Sequence, residues 1–372
     1  LGGYHASSFF SSLYTINERL LKESANEKKM GSNSKTISII IPNYNKGFIL
    51  EITLQNIFSS PLWIEKVEVI VVDDGSTDDS VKRIKKYPCK LICLESNFGA
   101  SKARNIGAKN STGKFLFFVD ADCIIEEETL RVVEETTKKY TWNKLIVGGT
   151  YKPEPYDKSF FSTFQAIFVN HFELKKPQPD YIPTHAMIIP RCDFENSGGF
   201  REKFLPILED VEFSHRMKRK GYTLVMDPKL QVMHYFGFNF IRSIKNAFRK
   251  SLYWSIYSLS NKDLLSDSGT AAIEFKLTGL ILILIYFILL IFVFVKKSFL
   301  LILLVLLLSI ILLINKELIK KFCKKGLIFT FKAVSYYIFI YTLVALIGGI
   351  SGLLLFLVNK EIKETMRNMR NV

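Results

Sequence analysis

The chain has 372 residues, 48% of them apolar, and a formal net charge of +15. That length gives room for one large domain or two smaller ones. Five cysteines, scattered and odd in number, argue against a disulfide framework and show no metal-site spacing, so free thiols in a reducing compartment are expected.

The positive charge admits nucleic acid or an anionic membrane surface as partner. No zinc-finger spacing or RNA-binding aromatic signature is present. The basic residues gather at Arg216 to Lys220, Arg242 to Lys250 and Lys316 to Lys325, around the apolar C-terminal region. The expected partner is therefore a membrane and not nucleic acid.

In chain order, residues 1–35 are Ser-, Asn- and Lys-rich without periodicity. They are expected to be a disordered or non-native extension, with Met30 as the natural start. Residues 36–238 alternate short apolar strands with helical patterns. Strands are predicted at Ile37–Ile41, Val67–Val72, Leu91–Leu94, Phe115–Val119, Leu145–Val147, Met187–Ile189, Thr223–Met226 and Gln231–Met233. Helices are predicted at Ile49–Phe58, Ser80–Lys86, Ala100–Lys109, Glu126–Tyr140 and Val211–Lys220. This alternation predicts an α/β domain with a mostly parallel sheet.

Residues 239–276 follow as a connecting segment. Its stretch "NFIRSIKNAFRKSLYWSIY" mixes basic and aromatic residues in a helical pattern, which suits a helix lying on an anionic membrane; a solvated helix packed on the domain is the rival reading. A membrane region is then expected over 277–358. Its three uncharged runs are Leu277 to Val295, Ser298 to Ile314 and Ala333 to Val358. The first would be ~28 Å long as a helix, close to the hydrocarbon thickness of a bilayer. Within the third, "GGISG" (Gly348 to Gly352) suits close packing on a neighbouring helix. The loop from Asn315 to Lys332 is lysine-rich and reads as cytoplasmic. With three spans and a cytoplasmic catalytic domain, the basic tail 359–372 would fall on the far side, against the charge rule.

Ligands of such sheets bind where the strands end. The first strand ends in "PNYN" (Pro42 to Asn45), the second in "DDGS" (Asp73 to Ser76), and the fourth, "KFLFFVDAD", in Asp120 and Asp122. One acidic strand end reads equally well as a turn. Two such clusters on one edge repel each other unless a cation or hydrogen-bond donors lie between them. Asp122 is a hard oxygen ligand suited to Mg²⁺ or Mn²⁺.

"SIIIPNYNK", "VIVVDDGSTDDS", "NFGASKARNIGAKNSTGKFLFFVDAD", "GGF" and "LEDVEFSHRMKRKGY" occur in this order over residues 36–235. In that order and spacing they resemble the family 2 glycosyltransferases, inverting enzymes of the GT-A fold. The resemblance implies a nucleotide-sugar donor, usually a UDP sugar. It implies donor contacts from Pro42 and Tyr44, with Tyr44 against the base, Asp74 accepting from the base, Arg104 on the nucleotide and Asp120 facing ribose and sugar. It further implies a divalent metal at Asp122, with His234 of "VMHYFG" as a further ligand. Asp210, the second acid of the Glu-Asp pair, would be the catalytic base. Glu209 and His185 would lie toward the acceptor.

For isolated residues the ordinary readings are a helix N-cap for Asp210, a solvated residue for Arg104 and a core histidine for His234. The implied enzyme is a multi-pass plasma-membrane glycosyltransferase with a cytoplasmic catalytic domain and a lipid-linked or glycan acceptor. A polyprenyl-phosphate sugar synthase and a catalytically silent nucleotide-binding scaffold are the alternatives.

Overall fold

The computed structural model describes residues 35–61 and 66–370. The extension expected over 1–35, with its start at Met30, lies outside the described residues apart from Lys35. The α/β part runs β1 (Ile37–Asn43), α1 (Gly47–Ser59), β2 (Val67–Asp73), α2 (Ser80–Ile84), β3 (Lys90–Cys93), α3 (Ala100–Lys109), β4 (Phe115–Phe118), β5 (Cys123–Ile124), α4 (Glu127–Lys139) and β6 (Leu145–Tyr151). It continues with α5 (Phe160–Glu173), β7 (Met187–Pro190), α6 (Arg191–Ser197), α7 (Glu209–Arg219) and β8 (Thr223–His234).

The strands form one sheet in the order β3-β2-β1-β4-β7-β6-β8-β5. β1 pairs in parallel with β2 and β4, β2 with β3, and β6 with β8; β7 and β5 run antiparallel to their neighbours.

β1 and β2 are apolar on both faces because helices cover both faces. Ile39 and Ile41 pack with Leu50, Leu54 and Ile57 of α1 on one side. Ile40, Ile70 and Val72 pack with Ala103 and Ala108 of α3 on the other. α3 lies close on β1 because Gly107 faces Ile40. A Cβ there would come within 2.5 Å of the Ile40 Cγ2. That close approach sets the height of Arg104, one turn earlier on α3. The order of strand addition reverses between the parallel neighbours β1 and β4, so their carboxyl ends open a crevice at a topological switch point.

Several features depart from the predicted elements, the short β5 and α6 among them, since neither was predicted. The strands expected at Thr223–Met226 and Gln231–Met233 are one strand, β8, whose register against β6 shifts between Gly148 and Thr150. Helix α5 was not predicted. It is buried nearly all round, so it lacks the one-sided period that marks a surface helix. All five cysteines are unpaired.

The C-terminal part is helical: α8 (Phe240–Asn261), α9 (Ile273–Val295), α10 (Phe299–Ile314), α11 (Lys316–Cys323), α12 (Leu327–Tyr336), a π-helical turn (Tyr337–Tyr341), α13 (Thr342–Val358) and α14 (Lys360–Arg370). Among the described residues, Ile273–Val295 and Leu327–Val358 are long and apolar enough to cross a membrane. α10 reaches that length only together with α11, from which it is bent by 71°. Gly348 and Gly352 set α13 directly on the backbone of α8. Added Cβ atoms would lie 2.4 Å from the Phe248 carbonyl oxygen and 2.2 Å from that of Leu252.

Candidate active site

The acids of the strand ends differ in what they do. Asp73 builds the turn: one carboxylate oxygen accepts from the Asn43 side chain at 2.7 Å, the other from the Ser76 N–H at 3.0 Å. Asp74 is buried and accepts from the backbone N–H groups of Phe98 and Gly99, both at 2.8 Å. It thereby holds the loop that opens α3. Each carboxylate oxygen keeps a further lone pair for a ligand. Pro42, the last residue but one of β1, is half-buried, and Tyr44 just after the strand is 44% exposed at the rim.

The repulsion expected between acidic clusters is relieved by three cationic or donor groups. Arg104, 3% exposed, donates to Asp120 at 2.6 Å and to Glu209 at 2.7 Å. It therefore joins the end of β4 to the first turn of α7, and it is not the solvated residue that an isolated Arg suggests. Its Nε is buried without a partner. Asp122 lies 3.1 Å from the Lys46 ammonium and 3.2 Å from the His234 Nε2. Burial alone would raise the Asp122 pKa; His234 and Lys46 outweigh it and hold the carboxyl well below the usual range.

α7 starts at Glu209, after Leu208 turns in the left-handed region with φ 76°. Asp210 is thus inside the first turn and is not the N-cap. Its Oδ1 accepts from the Val211 N–H at 2.8 Å. Burial, then the Glu209 carboxylate, push its pKa up to about 7, against the opposing pull of Arg104, the Val211 N–H and His185. A carboxyl poised there suits general-base work near neutral pH. His185 is buried, stacks on Tyr151 with ring centroids 3.9 Å apart, and has an Nε2 without a hydrogen-bond partner. Glu173 lies 3.4 Å from that nitrogen.

Asp120, Asp122, Arg104, Glu209, Asp210, His185 and His234 therefore belong to one connected set. Tyr44 and Asp74 lie along the same sheet edge. Several partners were not foreseen: Lys46, Tyr151, Glu173 and Asn105. Tyr151, at the end of β6, touches both histidines, with its ring centroid 4.6 Å from that of His234. Asn105 clasps Phe200 of the Gly198-Gly199-Phe200 loop, donating to its carbonyl at 2.8 Å and accepting from its N–H at 2.9 Å. Lys46 had a signal, as the last residue of "PNYNK". Tyr151 and Glu173 had none, because their neighbours come from distant segments.

Asp122, Cys123 and His234 place ligand atoms within 4.8 Å of one another. Cys123 is buried and its thiol pKa is pushed well up, first by burial and then by Asp122, so it stays protonated. The carboxylate and imidazole that remain fit Mg²⁺ or Mn²⁺, which bind through few protein ligands and take their other positions from substrate oxygens.

An α/β sheet with mostly parallel strands, and an acid-lined crevice at its switch point, define a GT-A-type fold. Residues 38–204 match the family model described as glycosyl transferase family 2, and that segment is a family 2 glycosyltransferase domain. The match ends just before α7. The chain is 38% identical over 97 residues to the glycosyltransferase YibD of Escherichia coli, covering 25% of this chain and 28% of that protein. It is 37% identical over 99 residues to the poly(ribitol-phosphate) β-N-acetylglucosaminyltransferase TarS of Staphylococcus aureus, covering 25% and 17%. The chain thus spans less than a third of the length of either relative. Among solved structures, a mannosyltransferase of Pyrobaculum calidifontis in complex with GDP-Man and Mn²⁺ is similar with a TM-score of 0.51 at 15% identity, over 95% of this chain and 97% of that one. This last likeness concerns the fold.

Proposed function

We propose that the protein is a metal-dependent, inverting glycosyltransferase that moves a sugar from a nucleotide sugar, a UDP sugar by preference, to a hydroxyl of a lipid-linked acceptor. The observation that carries this reading is the Arg104 bridge. One buried guanidinium holds Asp120, at the donor edge of the sheet, against Glu209, the neighbour of Asp210 on a separate helix.

In this reading Tyr44 and Asp74 receive the nucleotide base, and Asp120 faces the ribose and sugar. Asp122 and His234 hold the divalent ion, which when bound offsets the charge that builds on the leaving diphosphate. Lys46, paired with Asp122, is placed to meet the same phosphates. Asp210 takes the proton of the acceptor hydroxyl as its oxygen bonds to the anomeric carbon. The bond from that carbon to the diphosphate breaks, the nucleoside diphosphate leaves, and the single displacement inverts the anomeric centre. Arg104 holds Glu209 beside Asp210, and Glu209 in turn keeps the base's pKa high.

A lipid-linked acceptor is favoured by an apolar groove of about 400 Å³ between α5, α8, α9 and α13, lined by Trp254, Phe275, Leu280, Ile283, Tyr341 and Ile350. Its wall residue Trp254 shares a cluster with Leu208 and Val211, which flank the Glu-Asp pair.

The test is turnover of purified full-length protein on a panel of nucleotide sugars, with and without Mn²⁺. Donor hydrolysis that needs the metal and disappears in Asp122→Asn supports the reading. Hydrolysis and transfer that both survive that change would remove the metal assignment, and donor binding without any turnover would favour a silent scaffold.

A further inference from the structure

Leu327–Val358 is long enough to span a bilayer, since its 32 residues make a helix of about 48 Å against a hydrocarbon core of about 30 Å. A spanning helix has its two ends on opposite sides of the membrane. Here the whole length is docked on other helices, first on α5 of the α/β domain and then on α8. Just before it, Lys325 pairs with Glu154 at 2.6 Å. Phe329 packs on Phe160, with ring centroids 5.4 Å apart. Tyr336 meets Phe164 at 5.0 Å, and Tyr341 meets Phe168 at 5.2 Å. This half therefore runs along α5. The second half runs along α8 through Gly348 and Gly352. At the far end Leu355, Phe356 and Met366 join Leu208 and Tyr181 of the α/β domain in one apolar cluster.

The exposed side of the same helix is apolar. Leu327, Ile328, Phe331, Ile347, Ile350, Leu354 and Leu357 are 47–86% exposed, and they recur at spacings that keep them on one side. α9 and α10 behave differently. α9 crosses α13 where Gly279 meets Leu346, and beyond that Leu282, Ile285 and Ile288 are buried with Leu300, Leu304 and Leu307 of α10. The hairpin returns to its base, where the Asn315 side chain donates to Thr278 at 2.8 Å and accepts from the Tyr337 hydroxyl at 2.9 Å.

We propose that Leu327–Val358 lies flat on the membrane surface, its exposed apolar face in the lipid and its other face on α5 and α8, and that only the α9–α10 hairpin enters the bilayer. The partner is a lipid surface with anionic headgroups. Lys320, Lys321, Lys324 and Lys325 precede the helix and Lys360 and Lys363 follow it, at the level of the headgroups. The arrangement places α14 on the same side as the α/β domain. The conflict between three spans and the charge rule then disappears, because every basic segment except the hairpin tip, Lys296 and Lys297, lies on one side. This proposal does not depend on the catalytic reading.

The test is side-specific labelling of full-length protein in sealed membrane vesicles with a membrane-impermeant maleimide. In a background whose other cysteines are serine, exposed Cys192 reports the side of the α/β domain, and Glu364→Cys reports α14. Labelling of both from the same side is expected, whereas labelling of Glu364→Cys only from the side opposite Cys192 would overturn the proposal. Depth gives a second measurement in case a variant folds poorly. Spin labels at Leu327→Cys and Leu354→Cys, in protein whose exposed Cys93, Cys192 and Cys323 are serine, should report equal, shallow immersion. A surface site at one and a mid-bilayer site at the other would indicate a crossing helix.

Discussion

The crevice and the C-terminal helices are held together by opposite means. In the crevice nearly every contact is polar and specific: Arg104 has two acids, Asp122 an ammonium and an imidazole, Asp74 two backbone N–H groups. In the C-terminal part α13 meets α8 where side chains are missing, at Gly348 and Gly352, and much of the apolar surface stays uncovered. A polar site requires individual residues at individual positions. An apolar layer requires only volume and a side to face.

Substitutions should therefore act sharply on the crevice and gradually on the helices. The largest effect is expected for Asp210→Asn, a fall of roughly 10²–10⁴ in kcat with donor affinity unchanged, the size of general-base catalysis. Equal loss of donor binding, measured by calorimetry, would make Asp210 a structural residue. Next, Arg104→Met leaves Asp120 and Glu209 without their cation. Removing one partner of a buried ion pair costs about 3–5 kcal/mol, so a marked fall in thermal stability is expected alongside lost activity. A stable Arg104→Met protein would break the comparison from the crevice side.

Gly352→Leu tests the other side. It forces α13 off the Leu252 backbone at a cost of about 1–3 kcal/mol, lowering the melting temperature in detergent while donor hydrolysis per folded molecule stays the same. The pH profile follows from Asp210. Its carboxyl is raised to about 7, so the proton is held below that pH and the base becomes available above it. kcat/KM should rise with pH to a plateau above 7 and fall about tenfold per unit well below it. A flat profile from pH 5 to 8 would remove Asp210 as the titrating base. The smallest effect is expected for Arg131→Ala, which loses only the exposed Glu127 pair and should change stability by less than about 0.5 kcal/mol.

Much of this was readable along the chain. Apolar strands ending in polar clusters gave the sheet edge, because strand period and burial are local signals. Three uncharged runs gave the long apolar helices of the C-terminal part for the same reason. Asp120 and Asp122 stood out because paired carboxylates at a strand end are conspicuous in any sequence. Asp210 was marked only by the resemblance to the family 2 glycosyltransferases, since alone it reads as a helix N-cap.

What the linear order determined, then, was which segments become strands and helices and which of their ends carry charge. Local geometry and side-chain polarity decide both within a few residues. Folding alone decided which charges meet: Arg104 with Glu209 across 105 positions, Tyr151 between two histidines, Lys325 with Glu154 across 171. It also decided whether a long apolar helix stands or lies. Hydropathy measures the affinity of a segment for lipid, while orientation depends on which face the rest of the protein covers.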